Sequence, residues 1–384
     1  MKTRFSVLLA VVFLFFGFIK YNANSSSHYE SINDLRKLYS SGDASKWPKA
    51  VLDSTVDAAK FKDIGSLPKM EFPANNTYSK EKADLGKTLF FDPRLSSSGQ
   101  ISCANCHNPE LGWTDNLTRS FGHDRQTGGR NAMTILNVGY ATTLFWDGRA
   151  PSLEAQSVMP IQDQLEMKEH LDIAVKRIAS IKGYEIMFET AFGNKKATQD
   201  NIQKAIATFE RTIVSPPSKF DKFIAGQADA FSDQEVEGLH LYRTKANCIS
   251  CHNSPYFSDN QFHNDGQMLF GSKNEDLGRY NVTKKMADLG KFRTPSLREA
   301  ARTGPWMHHG HFPSILDVVE LYNLGNPSPI QGRLKGTSRD SLQGKSSPIL
   351  RKLNLSKDEV KSLVAFINTL STPTRRMQMP VLPK

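Results

Sequence analysis

The pentapeptide Cys103-Ala104-Asn105-Cys106-His107 and its second copy, Cys248-Ile249-Ser250-Cys251-His252, restrict what this chain can fold into more than any other feature. Cys-x-x-Cys-His is the attachment signature of c-type haem. Each thiol adds across one vinyl group of the porphyrin, the two-residue spacer matches the vinyl separation, and the adjoining histidine puts an imidazole on the iron. The two boxes use all four cysteines of the chain. A structural zinc site needs no histidine directly after each cysteine pair, and its pairs usually lie much closer in sequence. Two covalent haems, with His107 and His252 as proximal ligands, are therefore expected.

The 384 residues are ample for two core-bearing domains. Residues 1–24 read as an export segment: Lys2 and Arg4, an apolar run over 5–19, then a polar stretch over 20–24. Fifteen apolar residues are short for a membrane span and normal for a signal-peptide core. Tyr21-Asn22-Ala23-Asn24 offers one small residue for cleavage, so a signal peptide and an N-terminal membrane anchor both remain open. Export to the periplasm agrees with haem that is attached outside the cytoplasm. The formal net charge of +10 falls to +7 without Lys2, Arg4 and Lys20. That balance suits acidic redox partners. With no basic cluster, it does not suggest nucleic acid.

Residues 25–79 form an N-terminal arm with a helical hint at 32–40, and Tyr39 and Trp47 are expected to pin it to a domain. A short amphipathic helix is expected over 80–91, stopped at Asp92-Pro93. It carries Gly86, Leu89 and Phe90 and leads into the first box. Ser232-Asp233-Gln234-Glu235 is a capping box. It opens a helix with Gly238, Leu241 and Tyr242 that leads into the second box in the same order. The chain thus repeats a cytochrome c-like unit. Between the boxes, Leu171, Ala174, Val175, Ile178 and Ile181 recur at helical spacing, as do Ile202, Ala205, Ile206, Phe209 and Ile213. A last helix starts at Ser356 with Glu359 and buries Val360, Leu363, Val364, Ile367 and Leu370. The expected fold is mainly α, with two cytochrome c-like domains over 80–225 and 226–384, the second ending in a Pro-rich tail.

Several spaced motifs carry a resemblance. Phe145-Trp146-Asp147-Gly148-Arg149 is followed by Gln156, Pro160 and Glu166-Met167, with Trp146, Gln156 and Glu166 ten residues apart. His123 and Asn131 stand upstream, and Arg293-Thr294-Pro295-Ser296-Leu297-Arg298 and Thr303-Gly304-Pro305-Trp306-Met307-His308 stand downstream. Over roughly residues 80–370 the chain resembles the bacterial di-haem cytochrome c peroxidases and their MauG-type relatives. The resemblance implies a first haem as the peroxide site and a second as the electron-transfer site, with Trp146 between them. It implies that His123 caps the first iron in the resting state. It also implies a calcium ion held by Asn131 and the carbonyls of Thr303 and Pro305, oxygen ligands that suit a hard cation. Seventeen residues after Pro305, where many of these peroxidases carry methionine, this chain has Tyr322, as the MauG-type branch does. Met307 is the rival sixth ligand, and His308, His309 and His311 crowd nearby.

The chemistry can be argued beside the resemblance. Peroxide reduction needs a group that takes a proton from the near oxygen and delivers one to the leaving oxygen. A carboxylate whose pKa is raised by its pocket can do both. Glu166 is the candidate, with Gln156 orienting peroxide by hydrogen bonds. Three functions follow. The leading one is reduction of hydrogen peroxide with electrons from a small cytochrome c or cupredoxin. The alternative is MauG-type oxidation of a tryptophan or tyrosine on a partner protein. The third, a non-catalytic electron carrier, leaves Glu166 and Gln156 without a purpose. A homodimer is compatible with the resemblance.

Overall fold

Two pairs of crossed helices, built in the same way, frame the molecule. The computed structural model describes residues 31–327 and 344–384; the export segment expected over 1–24 lies outside them. In the first pair Lys80–Phe90 lies against Gln199–Arg211, and in the second Asp233–Arg243 lies against Lys357–Asn368. Each pair crosses at a glycine. A Cβ on Gly86 would stand 1.9 Å from the carbonyl oxygen of Ala205, and one on Gly238 would stand 1.9 Å from that of Ser362. Any side chain there would force the helices apart. The repeat seen in the sequence is therefore a repeat of contact as well as of order.

The helix starts follow their local chemistry. Ser232 accepts from the backbone of Glu235, and Ser356 from that of Glu359, while each glutamate reaches back to its cap. One expectation needs correcting. The apolar period from Leu171 to Ile181 is not one helix: Leu171–Ala179 ends at Ser180, and Ile181 caps a separate helix, Lys182–Phe192. Strands are few, as expected, with Phe262–Asn264 pairing antiparallel to Lys291–Arg293. No described helix is long and apolar enough to cross a membrane.

Two apolar cores accompany the helix pairs. Leu85, Leu89, Phe90, Ile206 and Phe209 lie in the first, and Leu239, Tyr242, Leu363 and Phe366 in the second. The two ends of the chain cross over. Leu35, Tyr39, Trp47 and Ile64 of the arm belong to the second core, where buried Arg243 sits over the rings of Tyr39 and Trp47 and pairs with Asp63. From the other end, Met377 packs on the first core. The Pro383 carbonyl accepts from Arg94 at 3.0 Å, and that of Lys384 accepts from the Gly183 amide at 3.1 Å.

Candidate active site

Cys103–Cys106 is a single helical turn whose cap, Ser102, exchanges hydrogen bonds with Asn105. The next residue, His107, has its Nδ1 3.2 Å from the Trp113 carbonyl oxygen. In the second copy Cys248–Ser250 is a 3₁₀ turn, and Nδ1 of His252 lies 3.3 Å from the Phe257 carbonyl oxygen. A carbonyl only accepts, so each Nδ1 carries the proton and each Nε2 keeps its lone pair. Burial lowers the pKa of both imidazoles and favours the neutral form. The four thiols are unpaired. Burial raises all of them, Cys106 to about 11 and Cys248 to about 12.

All six of these residues line one cavity of about 650 Å³. Its walls also present Arg293 Nη1 and Asn247 Nδ2, both buried without a hydrogen-bond partner. Unpaired buried donors are costly and call for an acceptor. A haem answers each feature: two vinyl groups for two thiols, iron for Nε2, and carboxylates for orphaned donors. The residues present fit the group, once per copy.

On the first copy's side, Gln156 and Glu166 face the same cavity. Gln156 comes from the short helix Leu153–Ser157, and Glu166 from the turn after Met159–Gln162. Loss of hydration, aided by the nearby Asp163 charge and opposed by Arg149, pushes the Glu166 carboxyl up to about 7. The turn is clamped from outside. The His123 amide donates to the Glu166 carbonyl at 2.8 Å, and a Cβ on Gly122 would lie 1.9 Å from the Leu165 carbonyl oxygen. His123 itself does not line the cavity. Its Nδ1 is 3.2 Å from Ser97 Oγ and its Nε2 3.2 Å from Asp124, so in this arrangement it does not cap the first centre.

Trp146 is locked between the two copies. Its Nε1 donates to the Asn131 carbonyl at 3.0 Å, and its own carbonyl accepts from the Arg293 amide at 2.7 Å. The flanking residues are tied as well: Arg130, before Asn131, bonds Asp147, after Trp146, at 2.6 Å and Asp276 at 2.6 and 2.9 Å. Asn131 uses Nδ2 on the Leu117 carbonyl at 2.8 Å, and its Oδ1 takes no hydrogen bond among the described residues. Asn131, Thr303 and Pro305 all line the cavity. Among the described residues neither the Thr303 nor the Pro305 carbonyl accepts a hydrogen bond. That set of oxygens suits a hard cation, with water completing the shell.

At the second copy, Tyr322 and Met307 both face the cavity, whereas His308, His309 and His311 do not. His308 instead stacks on Phe292 with ring centroids 3.6 Å apart. Burial, with the Asp265 charge adding to it, raises the Tyr322 phenol well above its ordinary range. Deprotonation there needs a cation close by. Three ligand-type side chains, Cys251, Asp259 and His263, also gather within 4.8 Å. Cys251 belongs to the attachment pair, so no separate metal centre follows from them. Sequence reasoning missed Glu210, whose carboxyl faces the first centre, is pushed up to about 8 by burial and leaves Oε2 unpartnered. It also missed Arg293 as a cavity residue. Glu210 sits in an amphipathic helix period, where a glutamate ordinarily reads as solvated.

Comparison with known proteins agrees with this geometry. Residues 80–229 match the family model for di-haem cytochrome c peroxidase. The chain is 37% identical over 326 residues to methylamine utilization protein MauG of Methylorubrum extorquens, spanning 85% of this chain and 87% of that protein. It is 39% identical over 304 residues to cytochrome c551 peroxidase of Nitrosomonas europaea, spanning 79% and 84%. Among solved structures, a MauG-like protein associated with microbial copper homeostasis superposes with a TM-score of 0.70 at 30% identity, covering 84% of this chain and 96% of that one.

Proposed function

This chain belongs to the di-haem cytochrome c peroxidase family of oxidoreductases, and on that premise we propose that it reduces hydrogen peroxide to water with electrons from a small periplasmic redox protein. The observation that carries this reading is the presence of Glu166 and Gln156 on the cavity wall shared with Cys103, Cys106 and His107. Two haems, held by Cys103, Cys106 and His107 and by Cys248, Cys251 and His252, would supply the redox-active irons. Gln156 orients peroxide through its amide. Glu166 accepts the proton of the near oxygen and returns it to the leaving oxygen. Overall, one peroxide, two protons and two electrons give two waters. Trp146, held rigidly by Asn131 and Arg293, stands on the electron path. A calcium ion on Asn131, Thr303 and Pro305 would brace the same segment, because Asn131 also receives the indole N–H. Residues 1–24 would direct the chain to the periplasm.

Tyr322 favours a second reading, in which the oxidising equivalents pass to tryptophan or tyrosine of a partner protein. Steady-state assays separate the readings. The first expects rapid peroxide-dependent oxidation of a reduced small cytochrome c or cupredoxin. The second expects little of that, with covalent change in a protein partner.

Two outcomes test the cofactors. Denatured protein should keep its colour through acid-acetone extraction, with two haems per chain by mass; haem released into the solvent would end the covalent reading. Exhaustive chelation, or Asn131→Ala, should impair electronic communication between the haems while both stay attached. Unchanged activity and spectra after chelation would remove calcium from the account.

A further inference from the structure

Beside the main cavity lies a second one of about 280 Å³. Phe145, Arg149, Pro160, Asp163 and Glu166 face both spaces, whereas Met159 and Gln162 face only the smaller. Gln162 is solvent-exposed. The smaller space therefore touches solvent at Gln162 and the peroxide face at Glu166. Cys103, Cys106 and His107 line the large cavity and not this one.

The wall between the two spaces is held tightly. The Arg149 guanidinium lies 3.5 Å from the Phe145 ring centroid, a close cation–π stack. Asp147 grips the same guanidinium at 3.1 and 3.2 Å and is itself bonded to Arg130 at 2.6 Å. The stack exists because the chain doubles back. Phe145 and Gly148 take left-handed backbone with φ of 66° and 69°, and Leu144 pairs with Ala150 across the turn. Arg149, Gln162, Asp163 and Glu166 make the passage polar, which suits a small neutral molecule that donates and accepts hydrogen bonds. A bulky apolar group would have to displace the Arg149–Phe145 stack and break the bonds to Asp147.

We propose that this vestibule is the inlet to the face bearing Glu166 and Gln156, and that the Arg149–Phe145 stack makes it selective for small hydroperoxides over bulky organic ones. The proposal rests on the peroxidase reading above. It extends that reading to the substrate class: hydrogen peroxide passes, whereas cumene hydroperoxide is held back at the wall and not at the reacting face.

The test uses the oxidised full-length holoprotein with cyanide as a small iron-binding probe, followed by its absorption change. Gln162→Trp should fill the vestibule without touching the main cavity. Cyanide association and dissociation should then both slow, by about tenfold or more, with the equilibrium affinity unchanged, because a passage acts on rates alone. Met159→Trp should do the same and guards against one variant failing to fold. Arg149→Ala should raise the rate with cumene hydroperoxide relative to hydrogen peroxide. Unaltered cyanide rates in a well-folded Gln162→Trp protein overturn the inlet. Weakened affinity with unchanged dissociation overturns it too, since that marks damage at the reacting face. Failure of the wild-type protein to bind cyanide in both its oxidised and its half-reduced states strikes at the peroxidase reading itself.

Discussion

Glu166→Gln should lower peroxide turnover about 10²–10⁴-fold, the usual worth of a general acid–base group, with both haem absorption spectra retained. Glutamine matches the size of glutamate and can still donate a hydrogen bond, but it cannot carry a proton between two oxygens. The carboxyl is well placed for both roles near neutrality, since burial and Asp163 bring it up to about 7. Intact spectra separate loss of proton transfer from loss of the site. Near-normal turnover in the variant would leave Glu166 a buried carboxyl of the cavity wall with no part in proton transfer.

Tyr322→Met should change which oxidation state the protein reacts from. The phenol faces the second centre and burial opposes its ionisation, so a phenolate there requires a cation at that position. A phenolate favours the higher oxidation states of iron, whereas a thioether raises the potential. The fully oxidised wild-type protein should therefore consume peroxide without prior reduction and hold two oxidising equivalents per chain. The prediction requires His123 to stay off the first iron, and in the structure it lies outside the cavity, partnered by Ser97 and Asp124. Tyr322→Met should raise the second potential and restore dependence on pre-reduction, read by redox titration and by mixing oxidised protein with peroxide. An inert oxidised wild type carrying one high-potential haem would falsify the phenolate reading and favour the methionine-type peroxidase.

Features written in local chemistry could be read from the sequence. The two Cys-x-x-Cys-His boxes, the Ser232 and Ser356 capping boxes and the order Gly-Leu-aromatic before each box all depend on neighbours a few residues away. Gly86 and Gly238 were visible as repeated positions. That each admits the backbone of a helix more than a hundred residues later was not visible, because the partner carbonyl belongs to distant chain. The break at Ser180 escaped for a related reason: the apolar period continues through Ile181 while the helix axis changes. Among the ligand candidates, sequence proximity misled. His308, His309 and His311 are neighbours of Met307 in the chain, yet a stack on Phe292 turns His308 into the protein body, and Met307 alone of the four faces the cavity. Glu210 was hidden by its own helix, since periodicity does not say which polar residue a cofactor pocket will enclose.

The crossing of the two ends carries a consequence for how the molecule can come apart. Tyr39 and Trp47 complete the core formed by residues after 215, while Met377 and Pro383 close over residues before 215. Cutting the chain between the two haem units would leave each fragment without a strap that only the other fragment carries. The same exchange resists a simple hinge, because swinging one half away must peel a terminus off the other. Relative movement of the two centres is therefore confined to small slides along the shared cavity. The protein should unfold as one cooperative body even though it is assembled from two copies of a smaller plan.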